Sequence, residues 1–368
     1  MRFLISTHPG DLHAMEVSLA LLDRGHEVVR WYGSDFPTRS SASLEWSDGD
    51  FQWEMRGPDL SGGREPFDVV WSRRPTPPIL PEGLHPGDVP VARRECHAFL
   101  GNLHSLVAPD AFWVNALESR SRAGLQAVQL QEAVRVGLTI PPTLMSNDPE
   151  RIRRFLAKFR GRASFKPLIS AQGDREDGVA PRMTRDVQVH ELPEDSLLRA
   201  APGIFQAKLP RAHELRAIFM GMHVVTARLH SKDAGGLRVE PGHLPQAIRE
   251  ACWRLMRRLG ILFGCFDFIV TPQGEYVFLE IDPAGPFLWV EEANPDISLL
   301  APFVEFLLSR REDFQWEPGA SSIRHRDFLP RAREWMTAEA SRHVPAALGF
   351  VSGDEPESTP ATGARSAT

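Results

Sequence analysis

Three acidic residues lie on two neighbouring predicted strands that are joined by a turn at 271–274. A tight turn places Asp267 opposite 278 or 279, about one residue pair from Glu280 on the next strand. Glu280 and Asp282 point to the same face, because side-chain direction along a strand has period two. The three carboxylates therefore converge, and a hard divalent cation such as Mg²⁺, shared with nucleotide phosphates, would relieve their repulsion.

The alternative is a solvated acidic sheet edge, or an acid that pairs with an arginine. The residues that flank the acids argue against an exposed edge because they are large and apolar: Phe266, Phe268, Val277, Phe278, Leu279 and Ile281. This composition favours buried strands, and we therefore expect Asp267, Glu280 and Asp282 to bind a metal ion.

Candidate cations lie at the ends of other apolar strands. Only four of the 42 basic residues are lysine, and two of them, Lys166 and Lys208, end short apolar segments. Arg216 follows in the sequence Glu214-Leu215-Arg216. Each one alone is more typical of a surface residue with a buried stem. Together with the three acids they predict a site for phosphate oxygens.

The composition limits the kind of protein. The 368 residues are 42 % hydrophobic and 24 % charged, which predicts two or three packed units. A net charge of −6 argues against a nucleic-acid-binding protein. The chain has neither a signal sequence nor an apolar run long enough to cross a membrane. Three scattered cysteines fit free thiols, and together these features predict a cytoplasmic location.

The predicted elements divide the chain into parts. A strand, a helix and a second strand within 2–32 are typical of a parallel sheet, and 68–72 predicts another buried strand. Further on, a helix carrying Leu125 stops near Gly137, and Asp148-Pro149 predicts the start of another helix. A loop at 170–178 follows the Lys166 strand. A helix over 244–259 precedes the hairpin that carries the acids.

The order of these features resembles the ATP-grasp ligases: a strand lysine, the hinge strand Phe205-Gln206-Ala207-Lys208, Glu214-Leu215-Arg216, Asp267, and then Glu280-Ile281-Asp282. More narrowly, it resembles the microviridin-type members that modify ribosomal peptides, the graspetide synthetases. Further matches are at 35–38, 70–75, 113–115, 129–130, 137–144 and 146–149. The resemblance covers about residues 1–308.

The resemblance implies a fold of mixed α/β and α+β class, with a Rossmann-like N-terminal domain before a two-lobed ATP-grasp fold. The implied domains are residues 1–112 (Rossmann-like), 113–205 (central lobe), 206–315 (C-terminal lobe with the metal site), 316–351 (helical extension) and 352–368 (disordered tail). ATP would lie between the two lobes.

The resemblance also implies roles for individual residues. Lys166 and Lys208 would contact phosphates, and the hinge Gln206, Ala207, Lys208 and Leu209 would hold the adenine. Arg216 would steady the γ-phosphate and the acyl phosphate, so that Lys166 and Arg216 carry the catalytic roles. Asp267, Glu280 and Asp282 would ligate Mg²⁺.

The expected activity is therefore an ATP- and Mg²⁺-dependent ligation of a carboxylate to an amine or hydroxyl within a precursor peptide that has a leader segment. Two alternatives stay open. One is a ligase for a small-molecule carboxylate. The other is an impaired relative that only binds a partner, because Gln126 replaces an expected lysine, Ala207 replaces an acid, and 231–242 lacks the acidic-aromatic-arginine stretch common in the family. We expect no nucleic-acid or membrane partner, and a homodimer is left open.

Overall fold

The computed structural model describes residues 1–63, 65–168, 185–231, 237–317, 319 and 321–345. The predicted loop at 170–178 and the predicted tail at 352–368 lie outside these residues. Within them the chain forms one parallel and three antiparallel sheets with helices packed against them. The fold is therefore of mixed α/β class, as the sequence predicts.

The N-terminal part is built on a parallel sheet with the strand order β2-β1-β6-β7. A three-stranded antiparallel sheet, β3-β4-β5, is inserted before β6. Asp11 begins α1 by accepting a hydrogen bond from the Ala14 N–H at 3.3 Å. The elements are β1 (Arg2–Thr7), α1 (Leu12–Leu22), β2 (Glu27–Tyr32), β3 (Ser41–Ser47), β4 (Asp50–Arg56), β5 (Ser61–Gly62), β6 (Val69–Ser72), α2 (Val89–Leu106) and β7 (Phe112–Val114).

The central part contains an antiparallel sheet with the order β10-β9-β11-β8. Asp148 caps α5 through the Glu150 and Arg151 N–H groups, as Asp148-Pro149 predicts. The prediction of one helix carrying Leu125 was wrong: the helix breaks after Ala123, and exposed Leu125 becomes the N-cap residue of α4. The elements are α3 (Leu117–Ala123), α4 (Gln126–Arg135), β8 (Thr143–Ser146), α5 (Pro149–Lys158), β9 (Ala163–Lys166), β10 (Arg185–Asp186), α6 (Asp195–Ala200) and β11 (Gly203–Ala207).

The C-terminal part contains a five-stranded antiparallel sheet with the order β14-β13-β12-β15-β16. Gly260 ends α7 with a φ of 73°, a left-handed conformation that glycine adopts without strain. The elements are β12 (His213–Met220), β13 (His223–Ser231), β14 (Leu237–Pro241), α7 (Gln246–Leu259), β15 (Phe263–Val270), β16 (Tyr276–Asp282), α8 (Trp289–Ala293), α9 (Leu300–Ser309) and α10 (His325–Glu339).

Both faces of the five-stranded sheet are covered. One face, with Phe219, Phe266 and Phe268, packs against α4 and α7. The other face, with Ile218 and Cys265, continues into a cluster that includes α1, α9 and the parallel sheet. The strands that carry the acids are therefore covered on both faces, although Asp267, Glu280 and Asp282 are themselves partly exposed.

None of the helices in the described ranges combines the length and the apolar composition that a bilayer-spanning helix requires.

Candidate active site

The three predicted metal ligands lie on one face of the hairpin formed by β15 and β16. Asp267 is directly opposite Glu280, and Cys265 is opposite Asp282. The predicted pairing of Asp267 with 278 or 279 was wrong, because the register shifts between Asp267 and Phe268. Leu279 is the additional residue of this β-bulge, and the bulge brings Glu280 to the same side as Asp267.

Asp267 is paired with Arg216 on the adjacent strand β12. The Arg216 Nη1 donates to both carboxylate oxygens of Asp267, at 2.9 and 3.0 Å, and its Nη2 donates to the Pro286 carbonyl at 2.8 Å. Burial nevertheless raises the pKa of Asp267, and the Asp282 charge adds to this increase. One arginine therefore does not fully offset the cost of placing these acids together in a buried position.

The other two acids are less completely paired. Asp282 accepts a hydrogen bond from the Ala284 N–H at 2.9 Å. Within the described part of the chain the Glu280 carboxylate has neither a hydrogen bond nor an ion pair within 4 Å, although it is only partly exposed. Burial raises the pKa of Glu280, and Asp267 and Asp282 raise it further. Its oxygens are thus free to bind a cation.

Lys166 brings positive charge to this site from the central sheet. It is the last residue of β9, pairs with Ile204 on β11, and is partly buried. Its ammonium group lowers the pKa of both Glu280 and Asp267, so the charges interact across the space between the two sheets. A basic group from one sheet and an acid cluster from the other therefore face each other.

The predicted hinge follows the same strand, β11. Gln206 and Ala207 are buried within β11, and the Gln206 side chain donates to Thr143 Oγ1 at 3.1 Å. Lys208 and Leu209 lie beyond the end of the strand. The Lys208 ammonium is half-exposed and forms an ion pair with Asp186 at 2.7 Å. The structure therefore places the hinge beside Lys166 and directs Lys208 toward β10.

Arg73 is a buried residue that we did not include in the predicted site. It follows β6, is 1 % exposed, and donates to the carbonyls of Ala284 and Gly285, two and three residues after Asp282. Burial lowers its pKa to about 10, while Asp11 and Asp282 favour its charged form. In the sequence, the position of Arg73 directly after a short apolar strand indicated that this arginine could belong to the site.

Asn115 and Gln129 were also absent from the predicted site. The Asn115 amide bonds to backbone groups of Leu262, Phe263 and Pro283, at 2.7 to 3.1 Å. Gln129 bonds both backbone groups of Ile281, between the two acids of β16. Their partners are about 150 positions away in the chain, and no local pattern shows such contacts.

The arrangement fits a hard cation together with an anion. Carboxylate oxygens are the ligands that Mg²⁺ prefers, and Glu280 has no competing partner among the described residues. The adjacent Arg216 has a buried Nε atom without a hydrogen-bond partner. Lys166 and Arg216 provide two positive charges beside the acids, which suits the phosphates of a nucleotide.

A second charged cluster, which we call the C-terminal charge network, lies between the N-terminal part and α10. Its members are Arg30, Asp35, Asp59, Glu339, Arg342 and His343. In the described residues, Asp59, Glu339 and His343 are the one trio of acid, histidine or cysteine groups with ligand atoms within 4.8 Å of one another. The three acids of the hairpin are not gathered that closely.

This network is already neutralised by its own residues. Arg30 pairs with Glu339 at 2.6 Å and with Asp59 at 3.1 Å, and Arg342 pairs with Asp59 at 2.6 Å. His343 bonds Asp35 at 2.7 Å and Asp59 at 3.1 Å. Since each acid has a cationic partner, the network is better suited to joining two parts of the chain than to binding a metal ion.

The sheets and the charged groups between them define the class of the protein. An antiparallel central sheet carries a strand-end lysine, and this lysine interacts with two of the three acids on a second antiparallel sheet that also carries an arginine. This arrangement is similar to the two-lobed fold of the ATP-grasp ligases.

Solved structures show more narrowly which proteins the chain is similar to. The macrocyclase MdnC from Microcystis aeruginosa MRC, bound with the precursor peptide MdnA, has a TM-score of 0.75 and 28 % identity over 84 % of this chain and 100 % of that chain. MdnB from the same organism has a TM-score of 0.73 and 28 % identity over 83 % and 98 % of the two chains.

A third structure is the RiPP-associated ATP-grasp ligase of Chryseobacterium gregarium, in complex with ADP and a leader and core peptide. It has a TM-score of 0.73 and 25 % identity over 86 % of this chain and 99 % of that chain. No protein-family model and no curated protein sequence matches the chain. The structural similarity confirms the predicted resemblance to the graspetide synthetases.

Proposed function

We propose that the protein is an ATP- and Mg²⁺-dependent ligase that forms side-chain cross-links in a ribosomally made precursor peptide. It activates a side-chain carboxylate as an acyl phosphate and joins it to an amine or a hydroxyl of the same peptide, giving a lactam or an ester. The carrying observation is the electrostatic interaction of Lys166 with Asp267 and Glu280, within a fold similar to that of peptide macrocyclases.

The similar proteins support a peptide substrate. MdnC is described with its precursor peptide, and the Chryseobacterium ligase is described with ADP and a leader and core peptide. Both are matched over nearly their whole length. A precursor peptide with a leader segment is therefore a better candidate for this chain than a free small-molecule carboxylate.

We assign the binding roles to the residues predicted from the sequence. Glu280, Asp282 and Asp267 would hold Mg²⁺ through their carboxylate oxygens. Lys166 and Lys208 would contact phosphate oxygens, and Lys208 would leave Asp186 to do so. The segment Gln206 to Leu209 would hold the adenine, largely through backbone groups.

Bound ATP supplies the phosphoryl group, and bound Mg²⁺ supplies positive charge near the phosphates. The chain supplies position and fixed charge. Arg216 is held by Asp267 and by the Pro286 carbonyl, so its charge is already oriented toward the site. The substrate carboxylate attacks the γ-phosphorus and ADP leaves. When the amine or hydroxyl then attacks the acyl carbon, the carbon–oxygen bond to phosphate breaks, and the departing phosphate takes up the proton of the nucleophile. Exclusion of water protects the acyl phosphate from hydrolysis during this step.

We also propose the domain division implied by the resemblance. The parallel order β2-β1-β6-β7 supports a Rossmann-like domain at 1–112, before lobes at 113–205 and 206–315. Helix α10 lies in the proposed extension at 316–351, and 352–368 would be a tail. A cytoplasmic location, without nucleic-acid or membrane partners, stays a prediction.

Mass spectrometry of a candidate precursor peptide, encoded beside the gene and incubated with the protein and Mg·ATP, tests the proposal. Each cross-link should remove one water, about 18 Da by stoichiometry, and release one ADP. ADP release with a small carboxylate and an amine, but not with peptide, would favour a small-molecule ligase. Peptide binding without ADP release would favour an impaired relative.

A further inference from the structure

The outer edge of β16, the strand that carries Glu280 and Asp282, is closed by side chains of α4. Strand β16 is at the edge of its sheet, so its outward backbone groups have no neighbouring strand. Gln129 is 3 % exposed, and its amide accepts from the Ile281 N–H at 2.9 Å and donates to the Ile281 carbonyl at 2.8 Å. The Gln129 amide thus makes the two backbone hydrogen bonds that a neighbouring strand would make with Ile281, the residue between the two acids.

Gln126 extends this contact by one turn of the same helix. Its Nε2 donates to the Leu279 carbonyl at 3.0 Å. Residues three apart on a helix share a face, so the two amides lie along the strand. The backbone carbonyl of Thr139 accepts from the Phe278 N–H at 2.8 Å and completes the edge.

Leu279, whose carbonyl accepts from Gln126, is also the additional residue of the β-bulge. The contact with α4 therefore lies at the point where the register of β16 shifts. In an unbulged register Asp267 would lie opposite Leu279, and Glu280 would point to the opposite face, toward Phe268 and Phe278. The bulge instead brings Glu280 to the face of Asp267. The register of this strand therefore decides whether the acids can share a cation.

We propose that Gln126 and Gln129 are positioning residues that hold β16 in its bulged register and thereby keep Glu280 and Asp282 on the face of Asp267. The inference rests on the proposed function for the identity of the metal ion. It also explains why position 126 carries a glutamine: the residue binds the strand that carries the acids, where the resemblance would place a lysine on phosphate.

Binding of Mn²⁺ in the presence of ADP, followed by electron paramagnetic resonance, tests this proposal without requiring turnover. Gln129→Met removes two hydrogen bonds with Ile281 and a third to the Ala123 carbonyl, and it keeps the volume of the side chain. We expect its Mn²⁺ affinity to fall by about tenfold or more, the size of effect typical of residues that orient metal ligands. Gln126→Met removes one bond at a partly exposed position and should weaken binding less.

Gln131→Met is the matched control, because Gln131 is an exposed residue of the same helix without a side-chain hydrogen bond among the described residues. It should bind Mn²⁺ as the wild type does. A second readout is the Mg²⁺ dependence of ADP formation: Gln129→Met should require more Mg²⁺ but recover most of its maximal rate at saturation. If Gln129 contributed only to the stability of the fold, Gln129→Met would lower thermal stability but leave both the Mn²⁺ and the Mg²⁺ titrations unchanged.

The possible results separate the two proposals. If the wild type binds Mn²⁺ and ADP, and the two variants bind them equally well, the positioning role is overturned. If binding weakens in the order expected but no peptide is modified by the wild type, the positioning role stands and the proposed substrate is wrong. If the wild type binds no Mn²⁺ with ADP, both proposals fail.

Discussion

Two clusters of acids in the described part of the chain, those of the hairpin and of the C-terminal charge network, differ in how completely the chain neutralises them. In the C-terminal charge network three acids, Asp35, Asp59 and Glu339, meet three cations at 2.6 to 3.1 Å. In the hairpin, Arg216 bonds only Asp267, and the described residues leave the Glu280 carboxylate without a partner.

The pKa shifts have opposite directions in the two clusters. Burial raises the pKa of Asp267 and Glu280, whereas in the network hydrogen bonds to His343 and Arg30 outweigh burial and lower the pKa of Glu339 to about 2. Close spacing of acids therefore does not by itself identify a metal site. In the hairpin, Glu280 has no hydrogen bond or ion pair among the described residues, and a bound cation would contribute most beside this carboxylate.

Removing an acid from the hairpin should have the largest effect on activity. Glu280→Gln should lower ADP formation by at least about 100-fold, as loss of one oriented charge at a reaction centre often does. Its thermal stability should not fall, because a buried acid with a raised pKa destabilises the fold when it is charged.

ADP release and a thermal melt measure these two effects. Glu275→Gln is the control, since Glu275 is an exposed acid in the turn of the same hairpin. Full activity of Glu280→Gln at limiting Mg²⁺ would show that Glu280 does not bind the metal ion.

A glutamate-to-glutamine substitution in the C-terminal charge network should instead lower stability and leave ATP binding unchanged. Glu339→Gln leaves the buried Arg30 with less compensation and should lower the free energy of unfolding by about 3 kcal/mol, typical of breaking a buried ion pair. Urea denaturation measures this change, with the exposed Glu334→Gln of α10 as control. The KM for ATP should stay constant; an increase would mean that the network contributes to the nucleotide site.

The network should also make stability depend on pH. Burial alone would lower the pKa of His343, but hydrogen bonds to Asp35, Asp59 and Glu339 raise it from 6.5 to about 10. Because the pKa is higher in the folded protein, the contribution of His343 is complete below pH 6.5 and is lost as the pH rises through about 10. Unfolding at a series of pH values should show this decline in the wild type and less of it in His343→Gln. An equal dependence of the unfolding free energy on pH in the two proteins would show that a charged His343 does not stabilise the network.

Lys208 should show the smallest effect on stability. Its ion pair with Asp186 is half-exposed, so Lys208→Met should change the free energy of unfolding by less than about 1 kcal/mol. If the side chain contacts phosphate, the KM for ATP should rise by about tenfold, a loss of one charge-assisted contact. Asp186→Asn is the matched control and should leave KM equal or lower. An unchanged KM in Lys208→Met would remove Lys208 from the site.

Local patterns in the sequence predicted much of the fold. Alternation and capping residues indicated the parallel opening, the helix after Asp148 and the hairpin of acids. The break before α4 was missed because Leu125 continues the apolar spacing of a helix although it is an exposed N-cap residue.

The residues that hold the candidate site in place could not be predicted from local sequence patterns. The register at Glu280 depends on one additional residue, Leu279, which has no signal in the strand pattern. Gln129 and Arg73 act through partners 152 and 211 or 212 positions away, and His343 meets Asp35 at a separation of 308. Contacts at such distances arise only when the whole chain is folded.

The most direct test is a crystal structure of the protein with ADP and Mn²⁺, with the metal located by anomalous diffraction. We expect an anomalous peak coordinated by Glu280 and Asp282, with the ADP phosphates near Lys166. A peak between Asp59, Glu339 and His343 instead, or ADP bound away from Lys166, would contradict this expectation.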